Sequence, residues 1–230
     1  MDKCLAIIPA RKGSKRIKNK NLVDFFGKPL LQYTVDAAVE SSIFFDVVIS
    51  TDYEDLPNFI ETYDKVEILI RNGHLSDDIA SVMDVANHVL DVKGENYDFV
   101  FILLPSTPLR NAKNIRDSFR VLTSKKDFNA VISVSEYNYP LIYAFTHKRS
   151  GFGIERAFPA DAKKKSQQQI DYFADNGGIY GLKPSAIRAH NYFPKVTAPY
   201  KMKRWASIDI DTPDDLEIAK AFYSHFFKHT

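Results

Sequence analysis

Short apolar segments alternate along this chain with longer segments of helical periodicity. The apolar segments are rich in Ile, Val, Leu and Phe, and the clearest of them are residues 4–10, 47–50 and 99–104. Continuous apolar runs of about four to eight residues are typical of strands that are buried on both faces. The alternation therefore predicts an α/β fold with a mostly parallel sheet, in which ligands bind at the carboxyl ends of the strands.

The periodicity also predicts the individual elements and a domain organisation. We predict strands at 4–10, 47–50, 66–70, 99–104, 130–134 and 206–211, and helices at 29–40, 55–63, 76–92, 113–122 and after 212. The alternation breaks between about 137 and 176, where aromatic and basic residues accumulate. A segment of that length is more than an ordinary connection. We therefore predict a main domain of residues 1–136 and 177–230 and a small insertion subdomain of residues 137–176.

Charge, hydropathy and cysteine content exclude several classes of protein. The formal net charge of +2, from 31 basic and 29 acidic residues, is too small for binding nucleic acid over a broad surface. No run approaches the roughly 18 apolar residues of a membrane-spanning helix. The single cysteine, Cys4, excludes an intramolecular disulfide. We expect no nucleic acid and no membrane as partners, and a cytoplasmic location, since a basic loop and not a cleavage site follows the first apolar run.

The strongest candidate site is the basic loop, residues 11–21, directly after the first predicted strand. Six of the ten residues from 11 to 20 are cationic. Gly13 permits a tight turn, and Ser14 and Asn21 can donate hydrogen bonds. The loop lacks the spacing of a P-loop, and a solvated basic turn or a nucleic-acid patch is the alternative. Its place after a buried strand favours phosphate binding.

A second candidate site is the acidic pair Asp209 and Asp211. Alternate residues of a strand share a face, so a strand at 206–211 would point both carboxylates to one side. Two such carboxylates suit a hard divalent cation, Mg²⁺ or Mn²⁺. The alternative is that the acidic residues only cap the following helix. A capping box of Thr212 and Asp215 would explain the later acids but not Asp209.

Together the two sites predict phosphoryl or nucleotidyl transfer. Cations would hold the phosphates while the acids hold the metal ion, and catalysis of this kind is mostly positioning and charge stabilisation. Weaker candidates follow other predicted strands or turns: Arg71, Ser106, Arg110 and Asn176. The six histidines show no paired metal-binding spacing.

The order of motifs resembles the CMP–sialic acid synthetases, or acylneuraminate cytidylyltransferases. The matching blocks are residues 7–16 with 20–22, 50–52, 75–78 with Ser81, 108–110, 176–180 and 207–216. The resemblance covers nearly the whole chain. It implies a Rossmann-like nucleotidyltransferase fold and a homodimer in which the insertion reaches the partner subunit. It also implies Mg²⁺-dependent transfer of CMP from CTP to the anomeric hydroxyl of a sialic-acid-like (nonulosonic) sugar acid, with release of pyrophosphate.

The resemblance also implies roles for individual residues. Nucleotide binding would fall to Arg11, Gly13, Ser14, Lys15, Lys20, Asn21, Arg71 and Ser81. Catalysis would depend on Lys15, Arg11 and Asp211, and the metal ion would be held by Asp209 and Asp211. The sugar acid would be bound by Leu104, Ser106, Arg110, Gln167 and Asn176. The proton acceptor stays open between Asp211 and a metal-bound water.

The sugar side departs from the family pattern at four positions. The residues here are Leu104, Ile142, Ser166 and Ala174, where many members have polar or basic side chains that bind the sugar. The acceptor therefore stays open among N-acetylneuraminic, legionaminic and pseudaminic acids and an 8-amino Kdo-like sugar. A Kdo-type or other sugar cytidylyltransferase, and a non-catalytic protein that binds CTP or a CMP-sugar, are the alternatives.

Overall fold

The computed structural model describes residues 2–61, 63–71, 73–76, 79–94, 96–137, 139–160 and 172–227. Its strands are β1 (Cys4–Ala10), β2 (Asp24–Phe25), β3 (Lys28–Pro29), β4 (Phe44–Thr51), β5 (Val66–Ile70), β6 (Phe99–Ile102), β7 (Ala130–Glu136), β8 (Phe145–His147), β9 (Ile154–Arg156), β10 (Phe173–Leu182) and β11 (Thr197–Lys201). Its helices are α1 (Leu30–Ser41), α2 (Val82–Lys93), α3 (Ala112–Thr123), α4 (Pro184–Arg188) and α5 (Pro213–Phe227).

A seven-stranded sheet in the order β11-β7-β10-β6-β1-β4-β5 forms the centre of the molecule. Strands β6, β1, β4 and β5 pair in parallel, as do β11 and β7, whereas β10 runs antiparallel to both of its neighbours. The prediction of an α/β fold with a mostly parallel sheet is confirmed. Because β10 is antiparallel, its amino-terminal half lies at the same edge as the carboxyl ends of the parallel strands.

Side chains of β1 alternate between two apolar layers. Ile8 packs with buried residues of α1 and α3, such as Val35 and Ile115. Ile7 packs on the opposite face with Met83 of α2. Each fully buried side chain of this size stabilises the fold by about 1.5–3 kcal/mol. Because both faces of β1 are covered, the strand appears in the sequence as a continuous apolar run.

Two predicted helices differ from the structure. In the described part of 55–63, residues 55–61 and 63, the structure has a short 3₁₀ helix, Leu56–Asn58, and no α-helix. The helix predicted at 76–92 begins at Val82, because Ser81 and Asp84 form a capping box that fixes its amino terminus. Local side-chain hydrogen bonds to the backbone therefore decide where α2 begins.

The carboxyl-terminal segment also differs from its prediction. No strand forms at 206–211: a 3₁₀ helix, Arg204–Ser207, is followed by an irregular segment that leads into α5. The predicted capping box is confirmed, since the Thr212 amide donates to the Asp215 carboxylate at 2.8 Å and the Asp215 amide donates to the Thr212 hydroxyl at 3.3 Å.

Residues 137–172 lie between β7 and β10, and we call them the insertion. Strands β8 and β9 pair there as an antiparallel hairpin. Residues 173–176, the end of the predicted subdomain, belong to β10 of the central sheet, where Phe173 pairs with Glu136. The hairpin exposes large apolar side chains, with Phe152 89% and Phe145 56% accessible. Among the described residues, no helix is both long enough and apolar enough to cross a membrane.

Candidate active site

A cavity of about 440 Å³ opens at the carboxyl edge of the parallel strands. Ten residues predicted from the sequence line it: Arg11, Ser14, Lys15, Lys20, Asn21, Arg71, Ser81, Leu104, Ser106 and Asp211. They come from the segments that follow β1, β5 and β6, from the amino terminus of α2 and from the segment that precedes α5. The fold therefore brings sequence-distant candidates to one place, as the rule for parallel sheets requires.

Hydrogen bonds to neighbouring loops hold the basic loop against the sheet. The Asn21 side-chain amide, which is 5% exposed, donates to the Arg11 carbonyl at 2.9 Å. The Lys12 amide donates to the Asp52 carboxylate at 2.7 Å. Asn19 makes the turn at the end of the loop in the left-handed region, with φ of 53°. The loop therefore presents its cations on a backbone that is fixed at both ends.

Gly13 is the exception among the predicted loop residues. It does not line the cavity, and its φ is not positive. A Cβ atom at this position would meet nothing within 4 Å. The backbone therefore does not require glycine here, and the left-handed residue of the loop is Asn19.

Asp211 joins the basic loop to the carboxyl-terminal segment. Its carboxylate accepts hydrogen bonds from Lys20 Nζ and Arg16 Nη1, both at 3.1 Å. Lys20 Nζ also donates to the Ile210 carbonyl at 2.7 Å. The Arg16 pair is weak because both of its side chains are more than half exposed. An arriving phosphate can therefore recruit Arg16 at little cost, whereas Lys20 stays anchored.

Asp209 lies two residues before Asp211; the residue is exposed and does not line the cavity, but Ser106 and Gly177 lie close to its carboxylate. Desolvation raises the pKa of Asp209, a hydrogen bond from Ser106 opposes that rise, and the charge of Asp211 adds to it. A Cβ atom on Gly177, whose φ is 66°, would lie 3.5 Å from Asp209 Oδ2. The turn predicted at 176–178 is thus a bulge of β10 whose backbone approaches this carboxylate.

The carboxylate oxygens of Asp209 and Asp211 are ligands of the kind that a hard divalent cation prefers. Two carboxylates raise each other's proton affinity when they share a site, and a cation between them removes that repulsion. Among the described residues, no three His, Cys, Asp or Glu side chains converge as a complete metal site. If Asp209 and Asp211 held such an ion, phosphate and water oxygens would have to complete the coordination that Mg²⁺ prefers.

Arg71 brings a buried charge with unused donors to the cavity. It is 3% exposed, and among the described residues its Nε and Nη1 have no hydrogen-bond partner. Burial lowers the pKa of Arg71, Asp52 opposes the shift, and Arg11 adds to it. Unsatisfied buried donors cost free energy, so this guanidinium has donors that could serve an acceptor bound in the cavity.

Ser81 combines the two roles weighed for it. Its hydroxyl caps α2, accepting from the Asp84 amide at 3.2 Å and donating to the Asp84 carboxylate at 2.6 Å. These hydrogen bonds lower the pKa of Asp84. Ser81 also lines the cavity together with Ala80 and Val82, so the beginning of α2 forms one of its walls.

Two of the described residues predicted to bind the sugar, Arg110 and Asn176, are not at the cavity wall. Arg110 is 1% exposed and lies beneath it. Asn176 is 5% exposed, accepts from the Ser133 hydroxyl at 2.6 Å and donates to the Ser207 hydroxyl at 2.9 Å. Gln167 lies outside the described residues. The wall on this side is formed by residues that follow β6: Leu104, Pro105 and Ser106.

Sequence reasoning placed Arg16 among the cations of the basic loop and Asp52 at a strand end, but gave neither a specific role. Arg16 lines the cavity and pairs with Asp211, and Asp52 anchors the basic loop. Asp52 follows β4 directly, so the strand-end rule contained the signal for it. The order of basic residues within the loop does not distinguish Arg16 from its neighbours, because the direction of each side chain depends on the turn at Asn19.

A cavity at the carboxyl edge of this sheet in which basic residues face Asp211 is consistent with a nucleotidyltransferase. A family model described as cytidylyltransferase matches residues 5–224, and the chain belongs to that family. The prediction of the family and of a nucleotidyltransferase enzyme is confirmed.

Several curated proteins resemble the chain at similar levels. A pseudaminic acid cytidylyltransferase of Campylobacter jejuni is 32% identical, covering 96% of both chains. A CMP-N,N'-diacetyllegionaminic acid synthase of Legionella pneumophila is 30% identical over 92% of both. An N-acylneuraminate cytidylyltransferase of Escherichia coli is 30% identical over 94% of this chain, which spans 51% of that protein.

Two solved structures share the fold. CMP:2-keto-3-deoxy-manno-octonic acid synthetase complexed with CTP superposes with a TM-score of 0.71 at 17% identity, covering 97% of this chain and 99% of that one. A 4-diphosphocytidyl-2C-methyl-D-erythritol synthase of Anaerococcus prevotii gives 0.69 at 11% identity, covering 97% and 96%. The predicted nucleotidyltransferase fold is confirmed.

Proposed function

We propose that this protein transfers CMP from CTP to the anomeric hydroxyl of a nonulosonic sugar acid and releases pyrophosphate. The observation that carries the proposal is one cavity in which the basic loop faces the acidic segment. The names of the relatives, which describe sialic-acid-like and related sugar acids, support the choice of acceptor class. Polyphosphate needs the cations, and a phosphate-bound metal ion needs the acids.

The residues divide the work of the reaction. The anomeric oxygen attacks the α-phosphorus, a new P–O bond forms, and the bond to the β-phosphate oxygen breaks with its electrons leaving on pyrophosphate. Lys15 and Arg11, assigned as catalytic, stabilise the charge that develops on the phosphates. The proton of the attacking hydroxyl goes to Asp211 or to solvent. Arg71 and Ser81 orient the nucleotide.

A divalent cation, Mg²⁺ or Mn²⁺, belongs to the proposal. Asp209 and Asp211 would hold it, and when bound it neutralises phosphate charge. Lys20 then keeps the acidic segment in place through the Ile210 carbonyl, its 2.7 Å contact. Titrating the metal-free protein with Mn²⁺ and following the paramagnetic signal of bound metal tests this site independently of turnover. Asp211→Ala should abolish that binding.

The acceptor is the part of the proposal that most needs measurement. Curated relatives at 30–32% identity carry pseudaminic, N-acylneuraminic and diacetyllegionaminic names, so similarity alone does not select one. Pyrophosphate release from CTP should be measured with N-acetylneuraminic, legionaminic, pseudaminic and Kdo acceptors. Release with one of the first three supports the proposal, and release with Kdo alone identifies a Kdo-type enzyme. CTP binding without release for any of the four would favour the non-catalytic alternative, which the apolar Leu104 side chain at the cavity wall would suit.

We propose that the enzyme acts as a homodimer in the cytoplasm, with the insertion against the partner subunit. The hairpin of β8 and β9 exposes Phe145 and Phe152 without covering them from within the described chain. Contiguous exposed apolar side chains are typical of interaction surfaces. The mass in solution, measured by light scattering over a dilution series, tests the assembly, and a monomer at every concentration would refute it.

A further inference from the structure

Arg110 is a buried cation whose binding partners are all neutral. Nη1 donates to the carbonyl oxygens of Gly178 at 2.7 Å and Leu104 at 3.2 Å, and to the Thr107 hydroxyl at 3.3 Å. Nη2 donates to the Thr34 hydroxyl at 2.7 Å, while Nε has no partner. No ion pair to a described carboxylate compensates the charge. Burial lowers the pKa of Arg110 to about 9. An apolar side chain would fill this space at lower cost, so packing does not account for an arginine.

One hydrogen-bonded path leads from Arg110 to the acidic segment through the cavity wall. The Leu104 carbonyl that it binds begins the wall formed by residues 104–106. At the other end of that wall, the Ser106 carbonyl accepts from the Ile210 amide at 2.8 Å. The Ser106 side chain also hydrogen-bonds the Asp209 carboxylate. By holding the Leu104 carbonyl, Arg110 therefore restrains residues 104–106, and Ser106 in turn contacts the Asp209 carboxylate.

A second path reaches the same segment through β10. The Gly178 carbonyl is held by Arg110, and the Gly178 amide donates to the Asn176 side-chain oxygen at 3.0 Å. The Asn176 side-chain nitrogen donates to the Ser207 hydroxyl at 2.9 Å. Ser207 lies two residues before Asp209. The two paths start at two carbonyls, those of Leu104 and Gly178, which both accept from Arg110 Nη1. They end at Ile210 and Ser207, on either side of Asp209 in the chain.

We infer that Arg110 is a positioning residue, which fixes the acidic segment 207–211 against the basic loop without touching substrate. The guanidinium suits this task because one planar group can hold two carbonyls from different elements in a fixed geometry. The role in catalysis rests on the proposed function, whereas the effect on the segment does not.

The single tryptophan, Trp205, reports on the segment without any assay of activity. It lies in the 3₁₀ helix Arg204–Ser207 and stacks on Phe226 with ring centroids 4.3 Å apart. In Arg110→Met we expect stronger acrylamide quenching of its fluorescence. In the same variant kcat should fall on the order of ten-fold to a hundred-fold, since displacements of about 1 Å have effects of this size. KM for CTP should change by less than about two-fold, because the basic loop is unaltered.

Two further variants separate positioning from general destabilisation. Arg110→Lys keeps the charge but not the fork, and should lie between Arg110→Met and wild type in both readouts. Leu122→Ala removes buried volume from α3, away from the site, and serves as the control for lost stability. It should lower Tm while leaving kcat and quenching as in wild type.

The results that overturn the inference are specific. Wild-type kcat and quenching in the Arg110 variants would refute it, as would the same changes in Leu122→Ala at an equal loss of Tm. If neither Arg110 variant folds, Ser207→Ala decides, because it cuts the second path, together with the local bond from the Ser207 hydroxyl to the Lys203 carbonyl, and leaves the first path: unchanged quenching there refutes the inference. If wild type transfers no CMP, the proposed function fails, while the quenching comparison still tests the positioning.

Discussion

The basic loop and the insertion lie at the same edge of the sheet but are held in different ways. The loop is held by side chains and backbone groups of the main domain, through Asn21, Asp52 and the Ile210 carbonyl. In the described part of the insertion, the hairpin of β8 and β9 directs Phe145 and Phe152 to solvent. The basic loop is thus held by contacts within one chain, whereas the hairpin presents an apolar surface that a second chain can cover.

This difference separates what the fold fixes from what it leaves variable. Cations for phosphate must stand at defined distances from the acids, so their loop is anchored to the strands. Residues that contact an acceptor must differ between enzymes that use different sugars. Loops outside the sheet tolerate such substitutions at the lowest cost in stability. The four departures from the family pattern, Leu104, Ile142, Ser166 and Ala174, concern the sugar side, and two of them lie in the insertion.

The largest effect is expected from Lys15. Lys15→Ala should lower kcat/KM by about 100-fold to 1,000-fold, the usual loss when one group that stabilises developing charge is removed. Lys18→Ala is the matched control, because Lys18 belongs to the same loop but does not line the cavity. Pyrophosphate release by both purified variants should be compared. Equal activity would mean that the loop binds phosphates only through its overall charge.

Arg71→Met should produce the next largest effect. It should weaken CTP binding without lowering the thermal stability of the protein. Loss of the charged hydrogen bonds should weaken CTP binding by roughly ten-fold to a hundred-fold, as such bonds contribute about 1.5–3 kcal/mol. Removal of two buried donors without partners should leave Tm unchanged or raise it. Calorimetric titration and thermal unfolding measure the two quantities. A fall in Tm with unchanged CTP affinity would make Arg71 a structural residue.

Asp209→Asn should raise Tm at neutral pH while abolishing turnover. The pKa of Asp209 is raised in the folded protein, so its ionised form destabilises the fold at pH above that raised value. The gain in Tm should shrink as the pH falls toward the ordinary carboxyl range, where both states are protonated. Unfolding of metal-free samples across that range measures it, with the exposed Asp214→Asn as control. A lower Tm at neutral pH would contradict this account.

Phe152→Ser should have the smallest effect on the chain itself. Phe152 is 89% exposed, and substitutions at such positions change stability by less than about 0.5 kcal/mol. CTP affinity should stay as in wild type, while the fraction of dimer in a dilution series should fall. Lys148→Ser in the same hairpin is the control for a change of polarity without loss of apolar surface. An unchanged dimer fraction would place the interface elsewhere.

Much of the nucleotide side was predictable from the sequence because it depends on local rules. The apolar run of β1 fixes where the basic loop begins, and the strand-end rule brings Arg71 and Ser106 to it. The acidic segment was predicted as a strand, but it forms an irregular segment before α5. Lys20 holds it through the Ile210 carbonyl and Asp211, and such tertiary contacts leave no periodicity in the sequence.

Two other differences have equally physical causes. The edge strand β11 was not predicted, because Pro199 interrupts its pattern, and an edge position is where a strand tolerates proline. Arg110 follows a buried strand, and the resemblance implied that it binds the sugar, but it turns inward to bind carbonyls. A strand-end motif indicates that a residue is near a site. Whether its side chain lines the cavity or lies buried beneath it depends on packing that the motif does not reveal.

The pairing of β7 with β10 has a consequence for how acceptor preference can change. Glu136 and Phe173 face each other across neighbouring strands, so the chain leaves and re-enters the sheet about one strand spacing apart, roughly 4.8 Å. Closing an excursion between ends that are already adjacent costs only about 0.6 kcal/mol more for each doubling of its length. Residues 137–172 can therefore be exchanged as one unit. Chimaeras that carry the insertion of a relative in the main domain of this chain should fold.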